Sequence, residues 1–278
     1  MAIAIVLAIM VVLSVLFSFL SPWWMTPLAS NWGMIDDTLI ITFVITGIAF
    51  AVLSLFMAYA IYRYRRREGA RAHYEPENKK LEFWLTGVTT VGIIAMLSPG
   101  LLAWNDYIKV PSDAATVEVV GSQWSWAYRL PGENGVFGTV DLHLVSVENP
   151  FGLKPDDPNG QDDILIESNE LHLPQGHPVR ILLRSVDVLH NFFVPQFRAR
   201  MDLVPGMTSY FWFTPERAGT YEILCAELCG VGHPIMRGTV VVEEATAYRE
   251  WLGGQSTFAQ LQSEAQKKRT VTQLSGAR

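Results

Sequence analysis

Two cysteines, an imidazole and a thioether fall within twelve residues in the string Cys225-Ala-Glu227-Leu-Cys229-Gly-Val-Gly-His233-Pro-Ile-Met236. A second imidazole, His190, stands upstream in DVLHNFFVP. Soft sulfur donors with imidazole nitrogens form a ligand set suited to copper. Zinc is the rival metal, but a methionine beside two cysteines and two histidines is unusual for a zinc site. A mononuclear blue-copper site uses one cysteine, so the second points to something else. Taken singly, the cysteines read as a disulfide of an oxidising compartment, His190 as a satisfied core histidine and Met236 as core filling. Their joint occurrence, with Gly230 and Gly232 letting the loop fold back tightly, favours a metal.

Such a loop needs a rigid scaffold to make its side chains converge. After Pro111 the sequence turns to short alternating or β-branched segments: Thr116–Val120, Thr139–Val145, Val179–Leu183, Ser209–Phe213, Thr220–Leu224 and Thr239–Val242. Pro131-Gly132, Asn149-Pro150, Asp156 to Gly160, Pro174, Pro205-Gly206 and Gly219 punctuate them. That spacing predicts an antiparallel sandwich or barrel over 111–245. The tail, 246–278, holds a helical-looking stretch and a basic end at Lys267, Lys268 and Arg269, to which no chemistry is assigned.

Ahead of the β region lie three uncharged, apolar runs: Ala2–Leu20, Thr38–Tyr62 and Phe83–Trp104. Each is long enough to cross a bilayer as a helix. The first has no Lys or Arg before it, so it is expected to be a retained span rather than a cleaved leader. Trp23, Trp24, Trp32, Tyr59, Tyr62, Trp84 and Trp104 sit near the ends of the runs, where amphipathic rings favour the headgroup zone. Arg63, Arg65, Arg66, Arg67, Arg71, Lys79 and Lys80 crowd the second loop, and the first has no basic residue. The positive-inside rule then makes the second loop cytoplasmic and puts everything after Trp104 outside. The organisation expected is a first span with its outer loop, 1–37, a helical hairpin, 38–110, the β domain and the tail.

The chain of 278 residues is 50% hydrophobic and 17% charged, with a net charge of −6. No overall basic field exists to hold phosphate backbones, so nucleic acid is not an expected partner. From Asn105 to Ala245 there are 19 acidic and 9 basic residues, a net of −10. Such a face would steer a cationic partner, or serve solubility alone.

The ligand string, with an upstream His before a hydrophobic-Val-Pro turn, resembles subunit II of haem-copper respiratory oxidases of the cytochrome c oxidase type. The pattern Cys-x-Glu-x-Cys-x3-His-x2-Met is met without a gap. The resemblance covers the second and third spans and the β region. It implies a cupredoxin-like Greek-key β-sandwich on membrane helices, bearing a binuclear copper centre, CuA; together with the apolar runs, the fold class expected is membrane-anchored all-β with three N-terminal transmembrane helices. By similarity Cys225 and Cys229 bridge two coppers, His190 and Met236 complete one, and His233 with the Glu227 backbone carbonyl completes the other. The Glu227 carboxylate is implied in a magnesium or manganese site at the interface with the catalytic subunit. In Gly121-Ser-Gln-Trp124-Ser-Trp126-Ala-Tyr128, Trp124 falls where the family's electron-input tryptophan lies, while Ser122 and Ser125 stand where His and Tyr are common. Glu82, just before the third span, resembles the carboxylate at the mouth of a proton path, though a carboxylate at a helix start is also favoured by the macrodipole. The family's proline within this span is missing, Pro99 lying further on, and the first span is additional to the usual two.

The function implied is electron input to a terminal oxidase: cytochrome c or a similar cationic donor reduces CuA, and electrons pass to haem in a catalytic subunit I that reduces oxygen to water. Haem is expected only in that partner, since no Cys-x-x-Cys-His attachment motif occurs here. Further oxidase subunits and membrane lipid complete the expected partners, in an energy-transducing membrane of the bacterial cytoplasmic type with the β domain on the periplasmic face. Two alternatives stay open: the CuA subunit of a membrane nitric oxide reductase, which shares these motifs, and a membrane-anchored copper chaperone.

Overall fold

A computed structural model describes the chain except residues 22–24, 70, 72–73, 75, 147–148, 167 and 277–278, with the backbone alone for 269–276. Trp23 and Trp24, expected at a membrane interface, lie outside the described residues. The chain forms two compact units: residues 1–26 with 33–105, and residues 27–32 with 106–278.

The first unit is made of helices α1 (Ala2–Leu20), α2 (Gly33–Arg63) and most of α3 (Lys79–Ile108), each long and apolar enough to cross a membrane. Their apolar side chains point outward along most of their length, as in Phe17, Phe56 and Leu101. That surface is costly in water and favourable in lipid. Hydroxyls within α2 are satisfied internally: Thr38, Thr42 and Thr46 donate to the carbonyls of Met34, Thr38 and Thr42. The Asn78 side chain accepts from the Leu81 backbone N–H and caps α3, which puts Glu82 in its first turn, exposed.

The second unit is a sandwich of two sheets. Its strands are β1 (Ala115–Ser122), β2 (Ser125–Leu130), β3 (Ile164–Ile166), β4 (Glu170–Pro174), β5 (Val179–Ser185), β6 (His190–Val194), β7 (Ala199–Leu203), β8 (Ser209–Phe213), β9 (Gly219–Cys225), β10 (Arg237–Glu243) and β11 (Ser256–Thr257). One sheet runs β11-β3-β2-β1-β5-β8 and the other β4-β10-β9-β6-β7. The pairs β1/β5 and β4/β10 are parallel and the rest antiparallel. Parallel neighbours far apart in sequence require crossover connections, and the architecture is cupredoxin-like. Alternation along the strands buries Val117, Val119, Ile181, Leu183, Phe211 and Phe213 of the first sheet and Leu171, Phe192, Ile223 and Val240 of the second.

The outer face of the larger sheet is covered too. Phe151 and Leu153, from the long connection between β2 and β3, pack with Val120, Leu165 and the tail residue Phe258. Beneath this connection Glu118 accepts from both Arg129 and Arg184, and Asp163 accepts from Arg129, all four being buried. Pairing is what lets four charges stay out of water. The tail forms α4 (Ala245–Gly253) and α5 (Phe258–Gly276), joined through β11, which pairs with β3.

Two sequence expectations change here. Thr139–Val145 alternates like a strand, yet only Val140 makes an isolated bridge, and residues 142–144 form a single 3-10 turn. The side chains of Asp157 and Asp141 capture the backbone N–H groups of Thr139 and His143, offering the backbone a local alternative to a ladder. Trp32 lies not at a lipid surface but in the β unit, buried between Tyr107 and Trp212 with ring centroids 5.1 and 5.0 Å away, its indole donating to the Trp212 carbonyl. Residues 27–32 form a strap on this unit. The Ala29 N–H donates to Gln196 O, the Glu216 N–H to Ala29 O and the Ser30 hydroxyl to Phe197 O.

Candidate metal centre

The hairpin of β9 and β10 carries the ligand string as its loop. Cys225 ends β9, Met236 stands just before β10, and the Cys225 N–H donates to the Met236 carbonyl, so the two side chains start from opposite positions of one ladder. A 3-10 turn at His233–Ile235 folds the loop back, with the His233 N–H donating to Gly230 O. His190 opens β6, whose Phe192 pairs with Cys225. The Asn191 carbonyl accepts from the Ala226 N–H and ties the loop's first residue to the same strand. Gly121 of β1 leaves room for the imidazole: a Cβ there would lie 3.2 Å from His190 Cδ2.

These constraints bring six donors to one place. The Cys225 and Cys229 sulfurs are 3.7 Å apart, both free thiols and both buried. A disulfide needs about 2.05 Å, so the bland reading of this pair fails. Around Cys225 Sγ stand His190 Nδ1 at 3.9 Å and the Glu227 carbonyl oxygen at 3.2 Å. Around Cys229 Sγ stand His233 Nδ1 at 3.6 Å and Met236 Sδ at 3.8 Å. Donor separations near these are what metal–sulfur bonds of about 2.3 Å around a tetrahedral ion require. His190 and Met236 are fully buried, and His233 is half-buried.

The electrostatics favour a cation. His190 Nε2 lies 2.8 Å from Asp187 Oδ1, a partner that accepts and so keeps the proton on Nε2, leaving the Nδ1 lone pair toward Cys225. Burial works to raise the Asp187 carboxyl, but hydrogen bonds from His190 and from the Gln123 and Val188 N–H groups together hold it below the usual range. Burial, and then the neighbouring Cys225, push the Cys229 thiol up to about 11. Without a cation beside it, the buried Cys229 sulfur resists ionising, and a metal that binds displaces the proton.

Residues 115–245 match the family described as cytochrome c oxidase subunit II, periplasmic domain. The alternative cytochrome c oxidase subunit 2 of Bradyrhizobium diazoefficiens is 56% identical over 261 residues, covering 94% of each chain. The chain belongs to the cytochrome c oxidase subunit II family. Subunit II of Cereibacter sphaeroides is 27% identical over 235 residues, 82% of this chain and 77% of that one. The crystal structure of the periplasmic domain of subunit II of cytochrome oxidase of Bradyrhizobium japonicum is 27% identical and covers 52% of this chain and 95% of that one, with a TM-score of 0.39. As a subunit II this protein is a membrane-anchored component of an oxidoreductase, in a family whose copper centre is CuA.

The remaining candidates of this subunit II fall in separate places. Trp124 is half-exposed in the turn between β1 and β2, its indole N–H donating to the Cys229 carbonyl at 3.1 Å. Glu227 lies in the metal loop, half-buried, with its carbonyl and not its carboxylate beside Cys225. Glu82 belongs to the helical unit. Two residues of the site were not singled out from sequence, Asp187 and Gln123. An Asp three positions before a candidate His ligand was a legible signal for the first. For Gln123 no signal existed beyond adjacency to Trp124.

Proposed function

We propose that this chain is the electron-input subunit of a terminal haem-copper oxidase, taking electrons from cytochrome c or a similar cationic donor and delivering them to haem in subunit I, where oxygen is reduced to water. One observation carries the reading: each thiol of a close, unbonded pair has one imidazole nitrogen and one further soft or carbonyl donor beside it. On this reading Cys225 and Cys229 hold both coppers, His190 and Met236 complete one set, and His233 with the Glu227 carbonyl completes the other. The donor set fits copper in softness and number. When bound, the metal pair supplies one-electron uptake and release with the charge change spread over two ions and two thiolates.

The chain's own residues do the rest. The Asp187 carboxylate fixes the His190 ring, and burial of His190, Cys229 and Met236 keeps water off the site. A site closed in this way suits relay and is ill suited to the exchange that a copper chaperone needs. Trp124 is assigned electron input from a docked donor, a reading supported by its partial exposure and its hydrogen bond to Cys229, and the acidic β unit would steer a cationic donor. The Glu227 carboxylate is assigned to a magnesium or manganese ion shared with subunit I, and Glu82 to the cytoplasmic mouth of a proton path there. The basic second loop supports an orientation in a bacterial cytoplasmic membrane with the β unit on the periplasmic face.

The test is gas consumption by the purified complex containing this chain, with reduced cytochrome c at low and high ionic strength. Fast oxygen uptake that falls with salt is the expected result. Fast nitric oxide uptake with slow oxygen uptake would overturn the oxidase reading in favour of a nitric oxide reductase. A colourless, labile copper(I) site would overturn relay itself.

A further inference from the structure

Gln123 occupies the turn between β1 and β2, on the larger sheet, while the metal loop belongs to the smaller one. Its side-chain Nε2 donates to the Cys229 carbonyl at 2.8 Å, the same oxygen that accepts from the Trp124 indole at 3.1 Å. Its backbone N–H donates to Asp187 Oδ2 at 2.6 Å, and the other oxygen of that carboxylate holds His190 Nε2. One residue is therefore bonded to both halves of the cluster, the His190 half through Asp187 and the Cys229 half directly. The fit is close: a Cβ on Gly230 would come within 3.0 Å of Gln123 Nε2. Gln123 is itself exposed, so a hydrophobic role in the core does not account for this placement.

We propose that Gln123 is a positioning residue for the copper centre: its amide locks the Cys229 peptide and the Trp124 ring into one hydrogen-bonded unit and pre-forms the two-thiol site before metal arrives. The inference rests on the ligand assignment above and extends it to a residue that touches no donor atom. Two donors on one carbonyl also draw electron density from the Cys229 peptide. Losing one leaves the thiolate richer in electrons, favours the oxidised centre and lowers its potential.

The test uses the full chain in its purified, copper-loaded complex. Gln123→Met keeps the side-chain length and removes the N–H donor. Relative to wild type, the expected result is a copper affinity about 10 to 100-fold weaker in competition with a chelator, the range found when ligand-orienting partners are removed. It also includes a lower midpoint potential and a shifted Trp124 indole N–H signal, with the binuclear copper spectrum retained. A purely structural role in the turn would not move the potential. Copper retention, potential and indole signal all equal to wild type would overturn the proposal. Should the Met variant fail to accumulate, Gln123→Asn keeps the amide but shortens its reach by one carbon and carries the same expectation. If wild type itself lacks a binuclear copper spectrum, the ligand assignment falls, and the proposal with it. A wild-type spectrum with an unaltered Gln123→Met overturns the proposal alone.

Discussion

The indole of Trp124 fills the space that a side chain on Gly232 would need: a Cβ built there would lie 2.2 Å from Trp124 Cδ2. Contacts that short do not occur, so the ring and the loop are mutually fixed, and glycine is required at this position for space. Gly232→Ala is expected to displace Trp124 or the loop. Stopped-flow oxidation of reduced cytochrome c should slow by at least tenfold, while haem content is unchanged. A wild-type rate would show that the ring is not the electron-input group.

Cys229→Ser is expected to abolish the binuclear copper signature in electron paramagnetic resonance, because the hydroxyl is a hard donor and a poor bridge between soft ions. Met236→Leu should retain two coppers and shift the midpoint potential, since only one weak thioether donor is lost. An unchanged spectrum for Cys229→Ser would refute the ligand assignment.

Asp163 gives the β unit a pH-dependent stability. Burial pushes its carboxyl up to about 6 from 3.8, against the pull of Arg129. Between about pH 4 and 6 the folded chain holds a proton that the unfolded chain has released. Stability from this group therefore rises as pH falls from 7 toward 4 and is lost as pH climbs back through 6. At 1.36 kcal/mol per unit the span is roughly 3 kcal/mol at most. Urea unfolding followed by tryptophan fluorescence should show Asp163→Asn flattening this slope relative to wild type, and an equal slope would assign it elsewhere.

Trp32→Ala should destabilise the β unit by about 3–5 kcal/mol, the usual cost of emptying a buried tryptophan site. It removes the contacts with Tyr107 and Trp212 and the hydrogen bond to the Trp212 carbonyl. Hydrogen exchange should quicken at the Ala29 and Asn31 amides, which donate to Gln196 and Thr214. Unchanged exchange there would mean that the strap holds without its tryptophan.

The parts legible in sequence were those written in local pattern. The three apolar runs were read within a few residues because span length and the placement of charge are set by the bilayer, not by tertiary contacts. Ser209–Phe213 was read to the residue, and Val179–Leu183 fell two residues short, since period-2 alternation reports one buried face. The strands β2, β3, β4, β6, β7 and β11 passed unread. In His190–Val194, for instance, four of five residues are buried, so alternation disappears. Thr139–Val145 misled for the converse reason: its alternation is real, but side-chain carboxylates had already claimed its backbone donors.

The sequence by itself determined the chemistry of the site: the donor types, the spacing that lets one loop supply most of them, and the membrane anchorage, all of which depend on residue identity and local period. Only the tertiary structure decided how the donors meet. It set His190 beside Cys225, brought Asp187 to the far side of that imidazole, and placed Gln123 and Trp124 of one sheet on the Cys229 carbonyl carried by the other. It also moved Trp32 from an expected lipid surface into the β unit. Apart from the local Asp187–His190 pair, these are contacts between residues 35 to 180 positions apart in the chain, fixed by strand register and crossover, and no local pattern encodes them.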